Sequence, residues 1–129
     1  MNALRKLYKE LTSLHWEIGF LDNTFEGIVR GDKLKLTLVT HNFPNSWFAD
    51  PFILDVTDDT IIVLVEEVTK KISKGRISKL VIDRRNNYVI EKKVILERPG
   101  HLSFPIIYRK DDKIYVYPEN SEDGVLNIY

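Results

Sequence analysis

The chain is partly written twice. Pro51 and Pro105 each open an apolar segment, and matching features follow both. Asp58-Asp59 answers to Asp111-Asp112, Ile61 to Ile114, Glu66 to Glu119, and Gly75-Arg76-Ile77 to Gly124-Val125-Leu126. The offset is 54 residues at the prolines and 53 at the glutamates, so one residue is lost inside the first hairpin. A repeat of this length constrains the fold because each copy must be one supersecondary unit that buries its apolar face against a neighbour.

The repeated units read as β-structure. Phe52 to Val56 is a strand turned by Thr57-Asp58-Asp59. Ile61-Ile62-Val63-Leu64-Val65 is apolar on both faces, which fits a strand inside a sheet covered on both sides. A polar connection, Lys70 to Gly75, leads to strands at Arg76 to Asp83 and Tyr88 to Leu96. Hydrophobicity falls along this series, as expected if the early strands are central and the last is peripheral. The second unit offers strands at Phe104 to Arg109, Lys113 to Tyr117 and Gly124 to Tyr129. Four strands per unit and a period near ~50 residues are the pattern of β-propeller blades. The expected fold is therefore mainly all-β: a partial β-propeller of antiparallel four-stranded blades with a short helical N-terminal segment.

One domain is expected over residues 1–129, with a helix and leading strands in 1–46, a full blade in 47–98 and an incomplete blade in 99–129. A closed propeller has at least about four blades, so either this chain is part of a longer ancestral domain, or its open sheets are covered by the N-terminal segment or by another copy of the chain. Open sheet edges are pairing hazards, so a homo-oligomer or a partner covering them is also expected. Leu4, Leu7, Tyr8, Leu11 and Leu14 have helical spacing within residues 3–14, with Asn2 as a cap. That helix would pack on the domain or dock a partner. Trp16 to Phe20 reads as a short strand. Asp22-Asn23-Thr24 caps a helix from Phe25 to Arg30 that Gly31 stops. Leu34, Leu36 and Leu38 alternate with polar residues as in a strand with one wet face.

Composition closes several avenues. Formal net charge is zero, which disfavours a nucleic-acid partner, since phosphate binding needs a surplus of Lys and Arg on one face. There is no cysteine, and His15, His41 and His101 lack ligand spacing, so neither a metal site nor a cofactor is expected. No apolar run approaches the ~20 residues of a membrane span. Charges lie where a secretory signal would need its apolar segment, so a cytoplasmic location is expected.

Candidate functional residues gather at strand ends. In an antiparallel hairpin the start of the first strand lies beside the end of the second. That places Asp50 near Glu66 and Glu67, and His101 and Ser103 near Glu119, Asn120 and Ser121. With two units side by side, all would share one rim. Asp50, Glu66 and Glu119 are then candidate catalytic carboxylates, with Asp50 as base and Glu119 as acid. Inverting glycoside hydrolysis needs two carboxyls ~6.5–9.5 Å apart, one kept protonated by its surroundings. Trp47 would stack on a sugar face, and Glu67, Arg76, His101, Ser103, Asn120 and Ser121 would bind substrate polar groups. The ligand would be a carbohydrate or a nucleotide-sugar-type small molecule. Sugar binding without chemistry and purely structural roles stand beside catalysis. Lys70 to Arg76 is the one basic cluster and reads as a solvated hairpin tip, with phosphate contact as the alternative. Walker, dinucleotide and nucleophile-elbow motifs are absent.

Taken together, Trp47-Phe48-Ala49-Asp50-Pro51-Phe52, Val65-Glu66-Glu67, Gly75-Arg76-Ile77, His101-Leu102-Ser103-Phe104-Pro105 and Tyr117-Pro118-Glu119-Asn120-Ser121 resemble a known domain. It is a propeller related to arabinanase- and xylosidase-type glycoside hydrolases, in the form that begins plant glucosamine inositolphosphorylceramide transferases. Bacterial relatives occur in polysaccharide-biosynthesis settings. The resemblance runs from about Trp16 to Tyr129. It implies a five-bladed propeller, here truncated, with carbohydrate-linked work. Asp50 falls where those hydrolases carry the Asp-Pro of their base. In the transferases this domain is not the part credited with glycosyl transfer, so the resemblance implies a binding or accessory module. A hydrolase, a glycosyl-transfer enzyme or a plain interaction module are the alternatives.

Overall fold

The computed structural model describes residues 16–129, and the helix expected over residues 3–14 lies outside them. The described chain is mainly antiparallel β-sheet, with 53% strand and 5% helix. Strands β1 (Gly19–Leu21) and β2 (Leu36–Leu38) pair around helix α1 (Phe25–Arg30). Thr24 caps α1 by accepting from the Gly27 N–H, and Gly31 ends it in the left-handed region at φ 83°. β3 (Ser46–Val56), β4 (Thr60–Thr69), β5 (Arg76–Asp83) and β6 (Tyr88–Leu96) form a four-stranded meander in chain order. β7 (Ser103–Lys110) and β8 (Lys113–Glu119) form a separate hairpin. Its turn, Asp111-Asp112, has positive φ at both residues, the geometry that matches strand twist in a two-residue hairpin.

β4 is the spine of the molecule and is buried continuously from Val63 to Glu67. Side chains alternate across a strand, so β4 feeds two cores. Val63 and Val65 join Phe48, Leu80, Ile82 and Val89 on one face, where Ile18 and Val39 cover them. Leu64 joins Ile77 and Leu102 on the other, where Ile107 and Val116 of the β7–β8 hairpin pack. β7 lies across β3, β4 and β5. The four-stranded sheet is thus sandwiched between the leading segment and the trailing hairpin.

Several expectations need correction. Gly124 to Tyr129 does not form a strand. Asn120 and Asp123 hydrogen-bond each other and close a turn there, and only Tyr129 returns to the sheet, exchanging two backbone hydrogen bonds with Val116. β3 begins six residues before Phe52, because Ser46 to Ala49 still pair with Thr69 to Glu66. β1 starts at Gly19 rather than Trp16. β2 forms, yet Leu36 and Leu38 are 59% and 47% exposed, because Ile18, Phe20 and Val39 fill the core nearby.

The duplication is visible in the backbone. Ala49 faces Glu66 and the next pair is Phe52 with Leu64. Ser103 faces Glu119 and the next pair is Ile106 with Tyr117. Each bulge contains a proline, which has no N–H to give the ladder. The residue before it, Asp50 or Phe104, has φ 48° or 51°. β3 carries a second irregularity between Ile53 and Asp55 that β7 lacks, and this accounts for the residue lost between the units. The extra residue there, Leu54, offers its carbonyl to the Arg109 guanidinium of β7.

Candidate functional site

The bulge that opens β3 aims Asp50 at the end of β4. Left-handed backbone costs a non-glycine residue on the order of 1–3 kcal/mol, so such a residue persists only where its surroundings fix it. Asp50 hydrogen-bonds the Glu66 side chain. Glu66 is 9% exposed. Burial first, then the Asp50 hydrogen bond, the Asp50 charge and the Glu119 charge push its pKa up to about 7. Glu66 therefore keeps its proton to near neutrality.

His101 completes the cluster from the segment before β7. Its Nδ1 accepts from the Gly75 N–H at 3.0 Å, which leaves the proton on Nε2, 3.2 Å from Glu66 Oε1. The Gly75 carbonyl accepts from the Leu102 N–H at 2.9 Å. Gly75 thus clasps the chain on both sides of the histidine side chain. A Cβ on Gly75 would lie 2.3 Å from the Leu102 oxygen and 2.6 Å from Glu66 Oε1, so glycine is required by close approach.

These groups line a pocket of about 430 Å³ walled by Trp16, Trp47, Ala49, Asp50, Glu66, Val68 and His101. Its walls are mostly apolar with a few convergent polar groups, the usual make-up of a small-molecule site. Trp47, Asp50, Glu66 and His101 were expected from the sequence and meet here. Glu119 is exposed and close enough to raise Glu66. Ser103 is half-buried as the cross-strand partner of Glu119.

The other candidates lie elsewhere. Glu67 points to the opposite face of β4 and is fully buried. It accepts from Ser46 Oγ at 2.8 Å, from Ser78 Oγ, from Arg76 Nε at 3.3 Å and from Lys92 Nζ. Burial pushes its pKa up, but the hydrogen bonds from Lys92, Ser78, Arg76 and Ser46 outweigh this and hold it at about 2. Arg76 is spent on Glu67 and Glu97. Asn120 is buried in its own turn with Asp123, and Ser121 is exposed beside it. Trp16 and Gly75 belong to the site but were not picked out as site residues from the sequence. Trp16 stands at the lip of a strand with no motif around it. Gly75 was visible only as a turn glycine of the repeat.

A duplicated, mainly β domain with an aromatic, acidic pocket at one strand end is the class of protein that fold and site define. Residues 35–129 match the family described as Glucosamine inositolphosphorylceramide transferase 1, N-terminal, and the chain belongs to that family. Glucosamine inositolphosphorylceramide transferase 1 of Arabidopsis thaliana is 30% identical over 86 residues, which cover 67% of this chain and 11% of the relative. The proteins of the same name from Oryza sativa subsp. indica and subsp. japonica are each 27% identical over 88 residues, covering 67% of this chain and 12% of the relative. The chain thus spans about a tenth of the length of these curated relatives. No solved structure matches it.

Proposed function

We propose that this chain is a carbohydrate-associated module of propeller type that binds a sugar in the Trp47–Asp50–Glu66–His101 pocket and serves glycan metabolism as an accessory domain. The observation that carries this reading is the meeting of indole walls with a hydrogen-bonded carboxyl pair and a tautomer-fixed histidine in one cavity. Indoles suit the apolar face of a sugar ring, and the carboxyls and His101 supply donors and acceptors for its hydroxyls. The relatives are named glucosamine inositolphosphorylceramide transferases. The repeated bulge and the stacked sheets support blades of a propeller.

The Asp50–Glu66 pair does not suit glycoside hydrolysis. Flanking carboxyls stand ~5–5.5 Å apart in retaining enzymes and ~6.5–9.5 Å in inverting ones. Two carboxyls in hydrogen-bond contact leave no room for the scissile bond between them. Binding therefore ranks above chemistry at this pair.

Saturation-transfer NMR and tryptophan fluorescence against a panel of monosaccharides and nucleotide sugars test the reading. Binding is expected, and Trp47→Ala should abolish it while the far-ultraviolet circular dichroism stays unchanged. Absence of binding at about 10 mM ligand, where even millimolar affinity registers, would overturn it.

A further inference from the structure

The units of the chain stack in one direction. In the four-stranded sheet, Val63 faces the leading segment, where Ile18 and Val39 cover it. Leu64 faces the trailing hairpin, where Ile107 and Val116 pack. The strand registers carry this order into the hairpin. Phe52 with Leu64 and Ile106 with Tyr117 are the first pairs after each bulge, and Ile53 with Val63 and Ile107 with Val116 are the second. Ile107 and Val116 therefore form the inward face of the hairpin and correspond to the Val63 face of the sheet. Side chains alternate along a strand, so Ile106, Tyr108, Tyr115 and Tyr117 form the outward face and correspond to the Leu64 face. Tyr108 and Tyr115 stand together there with ring centroids 6.4 Å apart, and Tyr108 is exposed. At the other end of the stack, Ile18, Phe20 and Val39 turn towards the sheet. Leu21 pairs with Leu36, and Gly19 with Leu38, on the opposite side of β1 and β2, and all three leucines are exposed.

We infer that a second copy of the chain continues the stack head to tail, its Leu21–Leu36–Leu38 face seated on the Tyr108–Tyr115–Tyr117 face of the first. The contact repeats between chains the packing that already joins the sheet to the hairpin within one chain. Inside the molecule a sheet face of one kind is always covered by a face of the other kind, so the two ends of the stack fit each other and not themselves. Their chemistry agrees: aliphatic side chains meet tyrosines, which bring large apolar area with a polar tip and are favoured in interface cores. An association of unlike faces leaves one of each free until the series closes, so a closed ring of copies is its end state. The inference is independent of the sugar-binding reading, since neither face lines the pocket.

The chain has no cysteine, so single introduced cysteines report which faces meet. Leu36→Cys and Tyr115→Cys are prepared separately, mixed in equal amounts and oxidised. A disulfide joining the two variants is expected on a non-reducing gel, with several-fold less dimer from either variant alone. Leu38→Cys with Tyr108→Cys gives a second pair, because a disulfide forms only where the Cα atoms come within about 7 Å. Self-linking of one variant as efficient as linking in the mixture would show like faces meeting and would overturn the inference. Absence of a disulfide from both mixtures would overturn it as well and leave the two faces to a partner of another kind. A third measurement needs no substitution. Lysine cross-linking of mixed isotope-labelled and unlabelled wild-type chains should join Lys35, next to the leucine face, to Lys113, next to the tyrosine face, across copies. Links confined to single chains would contradict the head-to-tail contact.

Discussion

Glu66 and Glu67 are neighbours in sequence and opposites in physics. Glu67 gives up its proton easily because four donors surround it, while Glu66 keeps one because it is buried beside the Asp50 and Glu119 carboxyls. The signs of their pH effects follow. Glu67 is depressed from 4.5 to about 2, so its contribution is present above pH 4.5 and lost as pH falls towards 2. Glu66 is raised from 4.5 to about 7, so its contribution is present below pH 4.5 and lost as pH rises through 7. Thermal melts from pH 3 to 8 on Glu66→Gln and Glu67→Gln should separate the two. Glu66→Gln should flatten the decline between about pH 5 and pH 8. Glu67→Gln should lose roughly 3 kcal/mol at pH 7, because Lys92 loses its carboxylate partner and Arg76 keeps only Glu97. If both variants follow the wild-type profile, the proton assignments are wrong.

At the scale of elements, the site is held by one clasp and one bend. Gly75 ties the β4–β5 connection to the His101-Leu102 segment, and the bulge at Asp50-Pro51 turns the carboxyl inward. Gly75→Ala should destabilise the domain by about 1–3 kcal/mol, the usual effect of forcing a methyl into occupied space, and should shift the His101 ring resonances in NMR spectra. An unchanged His101 environment would show that the clasp does not position it. Much of this was legible in the sequence. Alternation and turn residues marked β3 to β8, and the paired prolines marked the repeat but not the bulge that each occupies inside its strand. The neighbourhood of Asp50 and Glu66 followed from hairpin geometry, and that of His101 from setting the two units side by side. What escaped was the face of Glu67: hairpin reasoning locates strand ends, whereas the period of two decides which side a residue serves. The tail escaped too, since Val125, Leu126 and Ile128 look strand-like yet are 61–66% exposed after the Asn120–Asp123 turn.

On the scale of the whole molecule, one sheet carries the fold and its neighbours cover it. The covering is uneven. Leu34, Leu36 and Leu38 on one flank, and Val125, Leu126 and Ile128 on the other, remain largely exposed among the described residues. Exposed apolar patches of this kind mark contact surfaces. Association is therefore expected, and light scattering across a concentration series should report a species heavier than the 15.1 kDa chain. A concentration-independent monomer would contradict it. No helix among the described residues is long and apolar enough to cross a membrane.

The left-handed kink ahead of each proline reaches further than the pocket. In one copy it carries Asp50, and in the other it carries Phe104, whose ring meets Phe52 edge-on with centroids 5.0 Å apart. The main-chain detour is the same although an acid sits in one and a benzyl group in the other. A socket indifferent to its occupant lets descendants of such a gene exchange what stands there, and so acquire a different specificity, without redrawing the strands that carry it.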